Sequence, residues 1–208
     1  MSFGLEKCRT VNVYHRRIES SRGFDLQRGG KIDAMTENDT YKYLGITQSL
    51  RINHDEIRSK ITEVYNQGLK RILSSGLNGH NLTKAINTFA MPALTYTFGV
   101  VNWSDTELAK IERSTHVILT KYLIHHPKSA VERVTLSRAN GGRRLIDIRR
   151  LCVKQIRSLR SYFLSQTASP LHQAVIKADD RLTTLDLLHA DNYPPLETDA
   201  EYKEAKLQ

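Results

Sequence analysis

The pattern of apolar and polar residues changes character near residue 50. Before that point, short stretches alternate as half-buried strands do, and Arg9–His15 places Val11 and Val13 on one face. Tyr41–Ile46 is a second predicted strand, in which Gly45 marks a bend or a close approach of another backbone. Turn signals separate the two stretches and leave room for one short strand between them.

Beyond residue 53 the apolar residues recur at spacings of three and four, which predicts amphipathic helices. Two of the helix starts carry a capping box, Asn53 with Glu56 and Ser104 with Glu107. The predicted helices run from Asn53 to near Gly76, from Leu82 to about Thr97 with a kink or break at Pro92, from Ser104 to Tyr122, from Ile146 to Leu164, and from Pro170 to Asp180.

These elements define an α+β fold class. A short β segment at residues 1–50 precedes an antiparallel helical bundle at residues 53–165, and residues 166–208 form a poorly defined C-terminal extension. The apolar content of 39% and the charged content of 25% are typical of a globular chain. The longest apolar stretch, Ala90–Trp103, is shorter than the roughly 20 residues that a membrane span needs. We therefore expect a soluble, intracellular protein without a membrane partner.

Cysteine and histidine spacing predicts no metal site. Cys8 and Cys152 lie far apart, and zinc modules need several ligands at short spacings. The adjacent His125 and His126 would point to opposite faces of an extended segment. Reduced thiols with a structural role are the expected state of the cysteines.

Charge is concentrated in one part of the sequence. Residues 121–160 contain eleven Lys and Arg against two Asp and Glu, so this segment carries the whole net charge of +9. A neutral body with one basic segment is typical of a protein that binds polyanions, nucleic acid above all.

Within that segment, Arg150, Lys154 and Arg157 recur at spacings of four and three on one face of the fourth predicted helix. Cations in line on a rigid helix can follow a phosphate backbone, although the solvent-facing back of a helix would show the same spacing. Arg143 and Arg144, in the glycine turn before this helix, extend the basic face, and the backbone amides there could also meet phosphate.

Paired carboxylates would be needed for two-metal nucleotidyl transfer. The sequence offers Asp179–Asp180, which lies in a short polar stretch and is better explained as a helix surface or a C-terminal turn. Motifs of P-loop, serine-hydrolase or zinc-protease type do not occur. By itself, this chain is expected to catalyse nothing.

Several motifs resemble the reverse transcriptases of non-LTR (LINE-like) retrotransposons. Phe3–Arg9, F-G-L-E-K-C-R, is similar to the family segment that follows the catalytic aspartates, and Tyr41–Ile46, Y-K-Y-L-G-I, resembles the primer-grip hairpin. Ile124–Lys128 and Val134–Ile148 resemble a thumb-region pattern of the form "HHP…RLYLPR..GGRGLI.I". Two departures stand out in it. Ser137 replaces the usual proline, and Arg144 replaces a glycine, so a positive backbone angle at Arg144 would strain the turn.

The resemblance implies that residues 1–50 are the end of the palm and residues 53–165 the helical thumb of an RNA-directed DNA polymerase. Its catalytic aspartates, fingers and most of its palm would then precede Met1. Such an enzyme uses dNTPs together with Mg²⁺ that those aspartates hold. The partners would be an RNA template and a DNA primer, and the location the nucleus.

The resemblance also implies roles for individual residues. Lys7 would assist departure of the pyrophosphate as a general acid, and Tyr43, Leu44 and Gly45 would position the primer end. Arg143, Arg144, Arg150, Lys154 and Arg157 would hold the template–primer backbone without reading its sequence. A solvated helix-end lysine and ordinary hairpin packing are the structural alternatives for Lys7 and for Tyr43 and Leu44.

Two other functions remain open from the sequence. One is a stand-alone nucleic-acid-binding module with steep salt dependence. The other is an inert relic of a retroelement, or a bundle that binds protein, in which charge reversal on the Arg150, Lys154 and Arg157 face would leave nucleic-acid affinity unchanged.

Overall fold

The computed structural model describes residues 8–15, 17–19, 22–26, 30–36, 39–43, 45–49, 52–166, 168–192, 201 and 204. The chain divides into two compact units, Met1–Ile57 and Arg58–Gln208. Strands come first and helices follow, and the described part is mostly helical. The α+β fold class is confirmed.

Three antiparallel pairs of three-residue strands occur in the described part of the first unit. They are β1 (Asn12–Tyr14) with β2 (Arg17–Glu19), β3 (Phe24–Leu26) with β4 (Gly30–Ile32), and β5 (Tyr41–Tyr43) with β6 (Ile46–Gln48). The one short strand predicted between the first two stretches corresponds to β3, whereas β2 and β4 were not predicted. Thr10 joins the start of this region to the segment that follows β4, since its N–H donates to the Asp33 carbonyl at 3.0 Å and its carbonyl accepts from Met35 at 2.8 Å.

The strand predicted at Arg9–His15 was expected to be half-buried, and this expectation was wrong. Val11 is 40% exposed and Val13 is 60% exposed. Among the described residues, strand β1 pairs with one partner of three residues. A ribbon of two such short strands has too small a face to enclose its own valines.

Where one strand was predicted at Tyr41–Ile46, the structure has two, β5 and the start of β6. Gly45, at φ 82°, stands in the turn between β5 and β6, where Tyr43 pairs with Ile46. A Cβ built on Gly45 would meet no atom within 4 Å, so this glycine serves a bend and not a close backbone approach.

Helix α1 (His54–Leu73) begins at the predicted cap. The Glu56 backbone N–H donates to the side-chain oxygen of Asn53 at 3.3 Å. The side-chain NH₂ of Asn53 donates in turn to the Glu56 carboxylate at 3.2 Å. The helix ends three residues before Gly76, which takes a positive φ of 71°. Both ends therefore follow from local sequence signals.

The helix predicted from Leu82 is divided, as Pro92 indicated, and it begins earlier than predicted. Helix α2 (Gly79–Ala85) continues through a π-helical turn (Ile86–Ala90) into α3 (Met91–Thr95). Pro92 has no N–H, and its ring would clash with the carbonyl four residues earlier in a regular α-helix. Widening the preceding turn, so that the Met91 N–H reaches the Ile86 carbonyl, accommodates the proline.

Helix α4 (Asp105–Lys121) begins with the predicted capping box, in which the Ser104 hydroxyl and the Glu107 carboxylate bond reciprocally to backbone amides. It packs on α1 through a buried hydrogen bond of 3.0 Å between Tyr65 Oη and Thr115 Oγ1. Burial raises the pKa of Tyr65 to about 12. An ion pair of 2.7 Å between Arg58 and Glu107 joins the same two helices.

Helix α5 (Ile148–Ser165) follows two 3₁₀ turns (Val131–Val134 and Arg138–Asn140), and α6 (Pro170–Ala178) follows α5. One apolar core joins α1 to α5. Its most buried side chains are Tyr65, Leu69, Ile86, Ala90, Met91, Leu94, Phe98, Ile111, Leu119, Val134 and Ile148. The thiol of Cys152 lies in this core, and its burial raises its pKa to about 11.

Candidate nucleic-acid interface

A basic cleft lies between helix α2 with its π-helical turn and the loop that precedes α5. Its volume is about 510 Å³. Four of the side chains that line it are cationic, and the lining residues that the structure describes include no Asp or Glu. The lining residues are His80, Thr83, Lys84, Asn87, Thr88, Arg138, Arg143, Arg144 and Ile146.

Within the part of the chain that the structure describes, the charges of this basic cleft are not neutralised by acidic side chains. Lys84, Arg138 and Arg144 are exposed, and Arg143 is half-buried. Among the described residues, none of these four side chains forms an ion pair. Unpaired cations that converge on a recess create a positive potential there, which favours an anionic ligand.

The glycine turn that forms one wall of the cleft has the backbone strain that its sequence indicated. Gly141 has a φ of 74°, and a Cβ on Gly142 would overlap the carbonyl of Leu136. Arg144 adopts a φ of 65°, the positive backbone angle at which a side chain other than glycine is strained. The turn therefore has an arginine at a backbone angle that glycine would adopt with less strain.

The backbone amides of this turn were expected to be available to phosphate, and this prediction was wrong. The Arg143 N–H donates to the Arg133 carbonyl at 2.8 Å, and the Arg144 N–H donates to the Leu136 carbonyl at 2.8 Å. The Leu145 N–H donates to the Val134 carbonyl at 2.9 Å. The loop folds back on the preceding 3₁₀ turn, so an anion in the cleft meets side chains instead of amides.

Asn87 fixes the opposite wall to this turn. Its amide donates to the Arg144 carbonyl at 3.0 Å, and its side-chain oxygen accepts from the Ile146 N–H at 3.1 Å. Asn87 lies in the π-helical turn that Pro92 imposes. Pro92, a local sequence feature, thus sets the position of Asn87, and Asn87 holds the loop before α5 in place.

The structure brings together some of the predicted residues and leaves others apart. Arg143 and Arg144 line the cleft, whereas Arg150, Lys154 and Arg157 lie along α5 and do not. Lys154 is exposed, as expected of the solvent-facing side of α5, while Arg150 and Arg157 are half-buried. The three cations predicted to form a basic face on α5 are therefore not equally accessible, because Lys154 is more exposed than Arg150 and Arg157.

Two cations that the sequence placed in the basic segment are engaged within the protein. Arg149 forms an ion pair with Asp105, which raises the pKa of the guanidinium. Arg160 is buried and donates to the carbonyls of Leu185 and Thr184. Both charges therefore have partners within the protein, and counting charges along the sequence cannot reveal this.

Lys84 was missed by the sequence analysis because it lies outside the basic segment. The signal was a polar helix face, in which His80, Thr83, Lys84, Asn87 and Thr88 recur at spacings of three and four. Arg138 was counted in the basic segment but given no role.

The predicted residues of the first unit lie largely beyond what the structure describes. Lys7 and Leu44 are outside the described residues, and for Tyr43 the backbone alone is described, as part of β5. Gly45 lies in the β5–β6 turn and is exposed. The roles assigned to these residues stay predictions.

The histidines and the aspartate that were considered as metal ligands lie outside the basic cleft. His125 is buried with its ring 5.8 Å from that of His116, whereas His126 is exposed. Burial, followed by the charge of Arg143, lowers the pKa of His125. Asp179 is buried at the end of α6 and accepts from the Thr183 and Leu187 amides, both at 2.9 Å.

Within the described ranges, no three His, Cys, Asp or Glu side chains are grouped as a metal ion would require. No helix in those ranges has both the length and the apolar character needed to cross a bilayer. Comparison of the chain with protein-family models, with curated proteins and with solved structures found no match.

Proposed function

We propose that this chain binds the sugar–phosphate backbone of nucleic acid through its second unit. The observation that carries the proposal is the basic cleft, in which Lys84, Arg138, Arg143 and Arg144 converge with no acidic neighbour among the described lining residues. A protein that binds a small neutral molecule gains nothing from four unpaired cations, whose mutual repulsion is unfavourable until an anion joins them.

The particular nucleic acid that we propose is the hybrid of an RNA template with a DNA primer. This assignment rests on the resemblance to non-LTR retrotransposon reverse transcriptases, in which residues 53–165 would be the thumb. Lys154 on α5 adds a phosphate contact beyond the cleft, with Arg150 and Arg157 beside it. Contacts of this kind hold a duplex in place without reading its bases.

In this proposal the chain supports the duplex and carries out no chemical step. Mg²⁺, dNTPs and the transfer of nucleotides belong to the intact polymerase, and its place of action would be the nucleus. Lys7 and the segment of Tyr43, Leu44 and Gly45 would contribute near the primer end.

A matched pair of charge reversals tests the proposal. Lys84→Glu changes an exposed helix lysine in the cleft, and Lys110→Glu makes the same change at a lysine of α4 that does not line the cleft. Fluorescence anisotropy with a labelled RNA–DNA hybrid should show a loss of roughly tenfold or more for Lys84→Glu and a clearly smaller loss for Lys110→Glu. Equal losses would mean that net charge, not the cleft, controls binding.

The same cleft also favours a second candidate, a stand-alone module that binds nucleic acid of any kind. Affinities for an RNA–DNA hybrid, a DNA duplex and an RNA duplex of one sequence distinguish the two. A preference for the hybrid supports the thumb assignment, and equal affinities support the general module. A relic without function would bind none of them, and charge reversal at Lys154 or in the cleft would change nothing.

A further inference from the structure

The basic cleft is a recess, whereas the Lys154 side of α5 is an exposed helix surface. A volume of about 510 Å³ is within the range of pockets that enclose small ligands, roughly 300–1,000 Å³. A nucleic-acid duplex is much wider than such a recess and carries its phosphates on a convex surface. A phosphate at the end of a strand or on a small molecule can therefore enter the cleft more deeply than a phosphate within a continuous backbone, which contacts the exposed cations Lys84, Arg138 and Arg144 and the surface of α5.

The charge of the cleft indicates which chemical form of phosphate it fits. Three cations come from the loop before α5, and Lys84 reaches the recess from the facing helix. A phosphodiester inside a strand carries one negative charge. A terminal phosphate monoester carries about 1.5 to 2 negative charges near neutral pH and offers three strong acceptor oxygens. Four converging, unpaired cations match the monoester better because the attraction scales with the charge of the ligand.

The donors that the cleft offers are the kind that phosphate monoesters favour. The amides of the glycine turn are already used within the loop, so recognition depends on the forks of Arg138, Arg143 and Arg144 and on the ammonium of Lys84. Arginine forks bind phosphate oxygens in pairs, which adds geometric selectivity to the charge.

The cleft is also held in shape before any ligand arrives. Asn87 anchors the backbone on both sides of Leu145, and Arg144 has its N–H and its carbonyl both hydrogen-bonded. A preformed arrangement of this kind reduces the entropy lost on binding.

We infer that the basic cleft of Lys84, Arg138, Arg143 and Arg144 seats one phosphate monoester, the terminal phosphate of a nucleic-acid strand or of a free nucleotide. The inference rests on the proposed function, since it names the ligand group that the same cleft takes. It adds that the cleft distinguishes a strand end from the strand interior.

The test compares two single-stranded DNA oligonucleotides of one sequence, both labelled at the 3′ end, one with a 5′ phosphate and one with a 5′ hydroxyl. The full chain should bind the phosphorylated strand about tenfold more tightly, as expected for one added charge-assisted contact of roughly 1.4 kcal/mol. The double variant Lys84→Gln/Arg138→Gln should lose this preference. Lys154→Gln should keep it while binding both strands more weakly.

Competition at constant ionic strength separates the two sources of the phosphate. If adenosine 5′-monophosphate displaces the phosphorylated strand at micromolar concentrations, the ligand is a free nucleotide. If it displaces the strand only at concentrations where inorganic phosphate does so too, the ligand is the end of a strand. Both results support a monoester site.

Three results would overturn the inference. Equal affinity of the full chain for the two strands would remove the monoester preference and leave the proposed function standing. A preference that survives in Lys84→Gln/Arg138→Gln would place the phosphate elsewhere. Absence of binding to either strand and to the RNA–DNA hybrid at low salt would reject the inference and the proposed function together. Thermal unfolding of each variant confirms that these exposed substitutions leave the fold intact.

Discussion

Asn87 and Arg144 are joined by a hydrogen bond of 3.0 Å from the asparagine amide to the arginine carbonyl. The residues lie on different walls of the basic cleft, one in the π-helical turn and one in the glycine turn. Arg144 is held at a φ of 65°, where an arginine is strained. This hydrogen bond therefore connects the π-helical turn to Arg144, whose guanidinium is one of the cations of the cleft.

Replacing Arg144 with glycine should separate stability from binding. Glycine adopts the positive φ without strain, so Arg144→Gly is expected to raise the free energy of unfolding by up to about 1 kcal/mol. The same change removes one cation from the cleft and should weaken binding to an RNA–DNA hybrid. Urea unfolding and anisotropy measure the two effects. A variant that is both less stable and unaltered in binding would contradict the role assigned to Arg144.

Removing the side chain of Asn87 should loosen the cleft. Asn87→Ala leaves the Arg144 carbonyl and the Ile146 N–H without their partner, which is expected to cost about 1–3 kcal/mol of stability. Asn81→Ala is the matched control, because Asn81 is exposed on α2 and its substitution should stay within about 0.5 kcal/mol. Equal unfolding free energies for the two variants would show that the clamp is not formed in solution.

Arg160 should matter for folding and not for binding. Arg160→Ala leaves the carbonyls of Leu185 and Thr184 without their donor, with an expected loss of about 2–4 kcal/mol. The salt dependence of nucleic-acid binding should be unchanged in this variant. Lys154→Ala should do the reverse, with unaltered stability and a slope of affinity against salt that is lower by about one unit. A reduced slope for Arg160→Ala would return this residue to the interface.

His125 should make the fold less stable in mild acid. Its pKa is lowered in the folded protein, first by burial and then by Arg143, so the unfolded chain takes up a proton more readily. The stability that depends on neutral His125 is present above the ordinary histidine pKa of about 6.5 and is lost as the pH falls below that value. His125→Gln should flatten the stability curve below about pH 6.5. An unchanged slope in the variant would assign the pH dependence to other groups.

The helices of the second unit could be predicted because their signals are local. Ser104 and Glu107 lie within one turn of each other and bond reciprocally, so their spacing in the sequence already contains the geometry. Pro92 is similar, since a missing N–H disturbs the turn before it wherever the helix lies. The strands were predicted less well because the burial of Val11 and Val13 depends on what covers them, and the alternation of residues does not contain that information.

The candidate site could be predicted only in part for the same reason. Arg143 and Arg144 were found from the basic segment, but Lys84 reaches the cleft through the fold and not through proximity in sequence. Arg149 and Arg160 look like their neighbours in the sequence, yet one pairs with Asp105 and the other binds carbonyls in the interior. Which cations remain unpaired is a property of tertiary contacts.

The most direct test of the account is the affinity of the unaltered chain for an RNA–DNA hybrid across a series of salt concentrations. The three exposed cleft cations and Lys154, each displacing about 0.9 counterion, predict a slope of log K against log salt of about −3 to −4. A slope in that range, reduced by about one unit in Lys84→Gln, is the result that we expect. Absence of binding at about 50 mM salt, or a slope near zero, would contradict the claim that this chain holds a nucleic-acid backbone.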